Sequence, residues 1–222
     1  MSQQNVADLF DSQAHTYDQS IVEFKYVGPQ WLKQQLSLRG AAASPRVLDL
    51  GCGTGTSTQP VKALYANALV TGVDISPNMV AIARTKQLYD HLYVHDLDQP
   101  LRFLPSNDFN LVIALGCFEF LQSPDRCLEE IYRVLQRHGE LFISFQQHIP
   151  GNPQAPRTTY SGSVQLRAYT QAEVHAMLHE RGFHVTVLET CTGYTSKSGF
   201  ACPYIFVRCY KSGECRTLDM MN

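Results

Sequence analysis

The sequence has no excess of either charge. Its 222 residues carry 18 Lys+Arg against 20 Asp+Glu, a net of -2, whereas a protein held on DNA or RNA by backbone charge would be more basic. Apolar runs of membrane-spanning length are missing too. The longest, such as Leu111-Val112-Ile113-Ala114-Leu115, are strand-sized. Met1-Ser2-Gln3-Gln4-Asn5 has no basic cluster leading into an apolar stretch, so no signal peptide is expected. No C-x-x-C occurs. The cysteines Cys52, Cys117, Cys127, Cys191, Cys202, Cys209 and Cys215 are odd in number and scattered. That suits reduced thiols in a cytoplasmic protein better than a disulfide framework or a zinc site. Repeats and low-complexity tracts are also absent. What is present is material for a core: 44% hydrophobic residues with 17% charged exclude wholesale disorder. The length suits one ordinary domain with at most a modest extension.

Val6, Leu9, Phe10, Ala14 and Tyr17 recur near helical spacing and predict an amphipathic helix. A second helix holds Trp31, Leu32 and Leu36 and stops by Gly40, followed by a connector, Ala41-Ala42-Ala43-Ser44-Pro45. Short apolar runs then alternate with helical patterns. Strands are expected at Val47–Leu50, Leu69–Val73, Leu92–Val94, Phe109–Leu115 and Glu140–Phe145. Helices are expected from Thr58 to Asn67 and after two Ser-Pro pairs, Ser76-Pro77 and Ser123-Pro124, in which Ser caps and Pro takes the first turn. Gln146 to Gln165 reads as a long loop. Thr170-Gln171-Ala172-Glu173 is a capping box for a helix ending at Gly182. Two last strands, Phe183–Glu189 and Pro203–Tyr210, are separated by loop-like residues and could pair antiparallel. The alternation implies an α/β fold with a doubly wound, mostly parallel sheet.

Ligands bind such sheets at the carboxyl ends of the strands. The first strand runs into Asp49-Leu50-Gly51-Cys52-Gly53-Thr54-Gly55-Thr56, where Gly51 and Gly53 would let the backbone turn tightly and approach a ligand. Thr56 stands where a dinucleotide fingerprint needs its third glycine. Asp49 would repel a pyrophosphate but suits a ligand cationic at one end. Asp74, at the end of the second strand, could accept both hydroxyls of an adenosine ribose. Ile75 and Met79 could flank a flat purine. Asp96, with the backbone N–H of Leu97, could read an adenine edge, and Asp98 is an alternative to Asp96.

This constellation resembles the class I S-adenosylmethionine-dependent methyltransferases. It is carried by Val47 through Gly55, Val73-Asp74-Ile75-Ser76, Asp96-Leu97, and Phe109-Asn110-Leu111-Val112 through Leu115-Gly116 to Phe118-Glu119-Phe120-Leu121. The opening Phe10-Asp11-x-x-Ala14-x-x-Tyr17-Asp18 is similar to the branch with ubiquinone/menaquinone C-methyltransferases and malonyl-carrier-protein O-methyltransferases. The resemblance implies seven strands with the last reversed, and an N-terminal helical cap over the cofactor. It divides the chain into a cap over residues 1–40, an S-adenosylmethionine-binding methyltransferase domain over 41–212 and a tail over 213–222. It implies cofactor contacts from Tyr17, which could equally be a core aromatic, and from Leu115, where donor and acceptor line up.

The expected activity is transfer of the methyl of S-adenosylmethionine to a small molecule, free or borne on a carrier protein. The alternatives are a non-catalytic or partner-regulating binder of that cofactor and, third, an NAD-dependent oxidoreductase. The Asn/Asp-Pro-Pro-aromatic run of base-methylating enzymes is absent after the fourth strand, which argues against a nucleic-acid acceptor. Many relatives have histidine where Phe120 stands. No catalytic base is evident, and His148 and Tyr160 are the candidates for one. Cys117 reads as a small buried thiol and His175 with His179 as surface residues, since no third metal ligand accompanies them. His148, Arg157, Tyr160, Arg167 and Tyr194 lie where loops could face a substrate.

Overall fold

The computed structural model describes residues 3–39, 44–196 and 199–212. The helix stop at Gly40, the connector Ala41–Ala43, the tail over 213–222 and Cys215 lie outside the described residues. Helices α1 (Gln3–Gln13), α2 (Tyr17–Glu23) and α3 (Gly28–Ser37) open the chain. The single helix expected through Tyr17 is broken by a 3-10 turn at Ala14–Thr16. There Thr16 Oγ1 donates back to the Gln13 carbonyl at 3.3 Å, a local bond of the kind that competes with the α-helical ladder.

Alternating strands and helices follow: β1 (Arg46–Leu50), α4 (Thr58–Leu64), β2 (Leu69–Asp74), α5 (Pro77–Thr85), β3 (His91–Val94), β4 (Phe109–Ala114), α6 (Pro124–Val134) and β5 (Leu135–Gln146). The chain ends with β6 (Thr158–Ser161), β7 (Val164–Arg167), α7 (Gln171–Glu180), β8 (Phe183–Thr195) and β9 (Ala201–Lys211). Seven strands form one sheet in the order β3-β2-β1-β4-β5-β9-β8. Five run parallel, and β9 lies antiparallel between β5 and β8. The expected reversed strand is therefore the last in sequence but not the edge.

Three expectations are corrected. The stretch from Gln146 to Gln165 is not loop throughout, because β6 and β7 pair as a hairpin from Thr158↔Arg167 to Ser161↔Val164. Thr190 to Thr195 belongs to β8, so the turn before β9 is shorter than its polar composition suggested. Ser123 does not cap α6. The Asp98 carboxylate instead accepts the backbone N–H groups of Gln122 and Ser123 at 3.0 and 2.7 Å. Ser76 does cap α5, accepting from Met79 N at 3.0 Å, and Thr170 and Glu173 form the expected capping box.

Successive strand residues face opposite sides of a sheet, and β4 shows it. Val112 and Ala114 enter a core layer with Leu128, Ile131 and Leu178 from α6 and α7. Leu111 and Ile113 enter the other, with Trp31, Leu32 and Val61 from α3 and α4. With both faces covered, only the strand ends and edges are free to build a site. The strand order reverses between β1 and β4, so the crevice at their carboxyl ends is the switch point at which such sheets bind ligands.

Candidate cofactor and acceptor site

Beyond Leu50 the chain turns across the sheet end through Gly51-Cys52-Gly53. Gly51 and Gly53 have φ of +65° and +52°, the left-handed region that glycine occupies without a Cβ penalty. A Cβ on Gly51 would lie 2.6 Å from Cys117 Cβ, whereas one on Gly53 would stand 3.6 Å from the Tyr17 ring. Packing against β4's exit therefore demands the first glycine. The second leaves open the space between the turn and the helices above.

That space is a cleft of about 570 Å³ lined by Gly51, Gly53, Asp74, Ile75, Met79, Asp96, Leu97 and Leu115, with Phe10 and Tyr17 closing it from α1 and α2. Asp74 is buried at the end of β2. One of its oxygens accepts Gly53 N at 2.7 Å and the other Ser76 N at 2.9 Å. Burial raises its pKa, opposed by those two backbone donors. A carboxylate has about four lone-pair sites, so acceptor capacity remains for a ligand. Asp96 Oδ1 accepts Asp98 N at 2.9 Å. The lining includes these two carboxylates and neither Lys nor Arg, a field that favours a cationic guest.

Asp49 does not reach the cleft wall. It is 1% exposed and accepts the hydroxyls of Thr58 at 2.7 Å and Tyr89 at 2.8 Å. Burial pushes its pKa up to about 6 against those bonds. Asp98, the alternative to Asp96, is turned to the start of α6 as described above.

The residues of the opening motif are engaged by the domain beneath them. Phe10 packs edge-on against Phe120 with ring centroids 5.1 Å apart. Asp11 accepts the Ser76 hydroxyl and, at 3.0 Å, Asn78 N. Ala14 is buried. Asp18 accepts Thr54 Oγ1 at 2.5 Å and pairs with Lys86 Nζ at 2.6 Å. Below the cover, Val27 N donates to Gly193 O at 2.9 Å and Thr195 N to Phe24 O at 2.7 Å, tying it to β8.

A second cavity of about 1200 Å³ adjoins the cleft across Phe10, Tyr17, Leu115, Gly116 and Phe120. Its remaining wall is mostly aromatic and apolar, from Phe24, Tyr26, Leu166, Tyr194 and Tyr204, with Glu119 as its charged residue. A third, more polar cavity, lined by Asn5, Gln165 and Arg167 among others, meets the other side of Glu119.

The chain has counterparts among known proteins. Residues 48–143 match a family described as a methyltransferase domain. Over 192 residues the chain is 28% identical to a malonyl-[acyl-carrier protein] O-methyltransferase of Bacillus cytotoxicus, covering 82% of this chain and 67% of that protein. It is 28% identical over 145 residues to a demethylmenaquinone methyltransferase of Tropheryma whipplei, covering 64% of this chain and 59% of that one. The fold superimposes on magnesium protoporphyrin IX methyltransferase of Synechocystis with bound S-adenosylhomocysteine at a TM-score of 0.69 and 19% identity, covering 95% of this chain and 100% of that one. The chain carries an S-adenosylmethionine-dependent methyltransferase domain. The match thus spans about six-tenths to two-thirds of the length of these two curated relatives.

The structure sorts the remaining candidates. His148 Nδ1 lies 2.8 Å from the Ala155 carbonyl, and Tyr160 is 67% exposed. Neither lines any of the three cavities. Arg157 pairs with Glu173 at 2.6 Å, whereas Arg167 and Tyr194 do line cavities. Cys117 is buried, with Sγ 3.5 Å from the Leu50 carbonyl, and burial pushes its pKa up. His175 and His179 stack on an exposed helix face. Sequence reasoning missed Glu119 as a site residue. The signal was there: one acidic residue inside Phe118-Glu119-Phe120-Leu121, just past the strand where donor and acceptor meet.

Proposed function

We propose that the protein transfers the methyl group of S-adenosylmethionine to a small molecule, free or borne on a carrier protein, held in the aromatic cavity. The observation that supports this most is the shared wall: Phe10, Tyr17, Leu115, Gly116 and Phe120 border both cavities, so two ligands could meet there without water between them.

The residues present fit the cofactor. Asp74 has spare acceptor sites for the ribose hydroxyls, Ile75 and Met79 offer apolar faces for the purine, and Asp96 with Leu97 borders the adenine end. The open face of Gly53, with Gly51 beside it, would admit the amino-acid portion, and Tyr17 and Leu115 would close over the reacting centre. Bound S-adenosylmethionine supplies an already activated methyl. The protein's part is then to orient two reactants and exclude water, which supplies roughly 7–11 kcal/mol in well-aligned systems. In this reading residues 1–40 are the cap of the domain over 41–212, and 213–222 is a tail. A reducing, cytoplasmic setting accords with the six free cysteines among the described residues.

The test is to incubate the protein with methyl-labelled S-adenosylmethionine and a small-molecule extract of its source cells. Labelled product together with S-adenosylhomocysteine is the expected result. Tight cofactor binding with no product from any fraction would instead make it a cofactor-binding regulator.

A further inference from the structure

Glu119 is 2% exposed on the short 3-10 turn Phe118–Phe120 that follows β4. Its Oε1 accepts the Tyr204 hydroxyl in a short bond, while Oε2 is buried without a hydrogen-bond partner. An unpartnered buried carboxylate oxygen is costly, and no side-chain donor among the described residues satisfies it. It lines the aromatic cavity. We propose that Glu119 is the catalytic base of the transfer, its Oε2 receiving the proton of an acceptor that presents a neutral O–H or N–H in the aromatic cavity. The proposal rests on the methyltransferase reading above and names the residue and acceptor chemistry that reading left open.

The reaction then balances. A bond forms between the acceptor oxygen or nitrogen and the methyl carbon. The carbon–sulfur bond breaks with its electron pair left on sulfur, and the acceptor's proton passes to Oε2, from which water later removes it. Tyr204 holds Oε1 and so fixes the direction in which Oε2 points. The cavity wall contains this one carboxylate and neither Lys nor Arg. An anionic acceptor would be repelled there, whereas a flat, neutral donor would be surrounded by rings and satisfied at Oε2.

The surroundings set the working pH. Burial pushes Glu119 up to about 7, opposed by the Tyr204 bond. The titratable groups facing it are Tyr17 and Tyr26 from the cover, Cys117 on its own turn, Tyr169 after β7, Tyr194 on β8, and Cys202 and Tyr204 on β9. Burial raises each of them, so all are neutral near pH 7. Arg167 borders the polar cavity on the far side. A base that titrates near neutrality is matched to proton transfer at that pH.

The experiment compares wild type, Glu119→Gln, Glu119→Asp and Tyr204→Phe with methyl-labelled S-adenosylmethionine and the source-cell small-molecule extract, alongside calorimetric titration with S-adenosylhomocysteine. Glu119→Gln should bind S-adenosylhomocysteine within about twofold of wild type yet lose about 100-fold or more in rate, with partial recovery in Glu119→Asp. The wild-type rate should rise tenfold per pH unit below about 7 and then level, and Glu119→Gln should lack that limb. Tyr204→Phe removes a bond that favours the ionised form, so the limb should move to higher pH, a result readable even if the Gln variant does not fold. A Glu119→Gln rate within threefold of wild type with the same pH profile, or an unmoved limb in Tyr204→Phe, would overturn the proposal. Wild type that binds S-adenosylhomocysteine but forms no product would remove the methyl-transfer reading and this proposal with it.

Discussion

Asp18 on α2 holds Thr54 of the glycine turn at 2.5 Å. One residue of the cover thus grips the loop that would carry the cofactor, and its second oxygen takes Lys86 at the end of α5. The Lys86 pair is partly exposed, and such pairs contribute about 0–1 kcal/mol. The Thr54 bond matters more, because Thr54 is fully buried and an orphaned buried hydroxyl costs about 1–3 kcal/mol. Asp18→Ala should therefore speed hydrogen exchange across residues 3–23 and weaken S-adenosylhomocysteine binding several-fold. Unaltered exchange in that segment would show that the latch does not hold the cover.

The two glycines of the turn should fail in different ways. Both would place an L residue at positive φ, at a cost of about 1–2 kcal/mol. Gly51→Ala adds a 2.6 Å clash with Cys117 and should lower the melting temperature markedly. Gly53→Ala meets only ordinary contact with Tyr17, at 3.6 Å. It should stay folded while losing cofactor affinity, because its Cβ fills the cradle. Thermal melts and titrations of the pair would separate the two, and equal melting temperatures would contradict this division of labour.

Stability should fall as pH rises from about 4 to about 7. Burial raises Asp49 from 3.8 to about 6 and Glu119 from 4.5 to about 7, so each binds its proton more tightly folded than unfolded. A raised folded pKa contributes stability that is fully present below the unfolded value and is lost as pH climbs through the folded one. The window is therefore roughly pH 4 to 7, and each group's loss is about 3 kcal/mol across it. Urea unfolding at pH 5 and pH 8 should show wild type weaker at pH 8, with Asp49→Asn and Glu119→Gln flattening the difference. A wild type that is stronger at pH 8 would have the sign wrong.

Much of this arrangement could be read from the chain because its signals are local. The continuous apolar run Leu111–Ala114 defines a strand buried on both faces, and Ser76-Pro77 and Thr170–Glu173 define helix starts by chemistry within one turn. Asp74 and Gly53 are each marked locally, as a strand end and a turn, and the parallel pairing of β1 with β2 brings them together. Where the reading failed, distant partners decided. Asp49 stands at the expected strand end, but Thr58 and Tyr89 draw its carboxylate into the protein. Ser123 has the right residue type for a cap, but Asp98 takes the neighbouring N–H groups first. The β6–β7 hairpin lies among prolines and glycines that look like loop, and it depends on cross-strand pairing. Glu119 was visible only as an acid among phenylalanines, since its significance comes from β9, whose Tyr204 lies 85 positions away in the chain.

The central claim is that Asp74 and its neighbours form the S-adenosylmethionine site, and calorimetric titration with S-adenosylhomocysteine tests it most directly. Wild type should bind one equivalent saturably. Asp74→Ala should bind roughly 10- to 150-fold more weakly, corresponding to the loss of about 1.5–3 kcal/mol of hydrogen bonding to a charged group. Folded wild type that gives no saturable heat, or an Asp74→Ala variant with undiminished affinity, would contradict it.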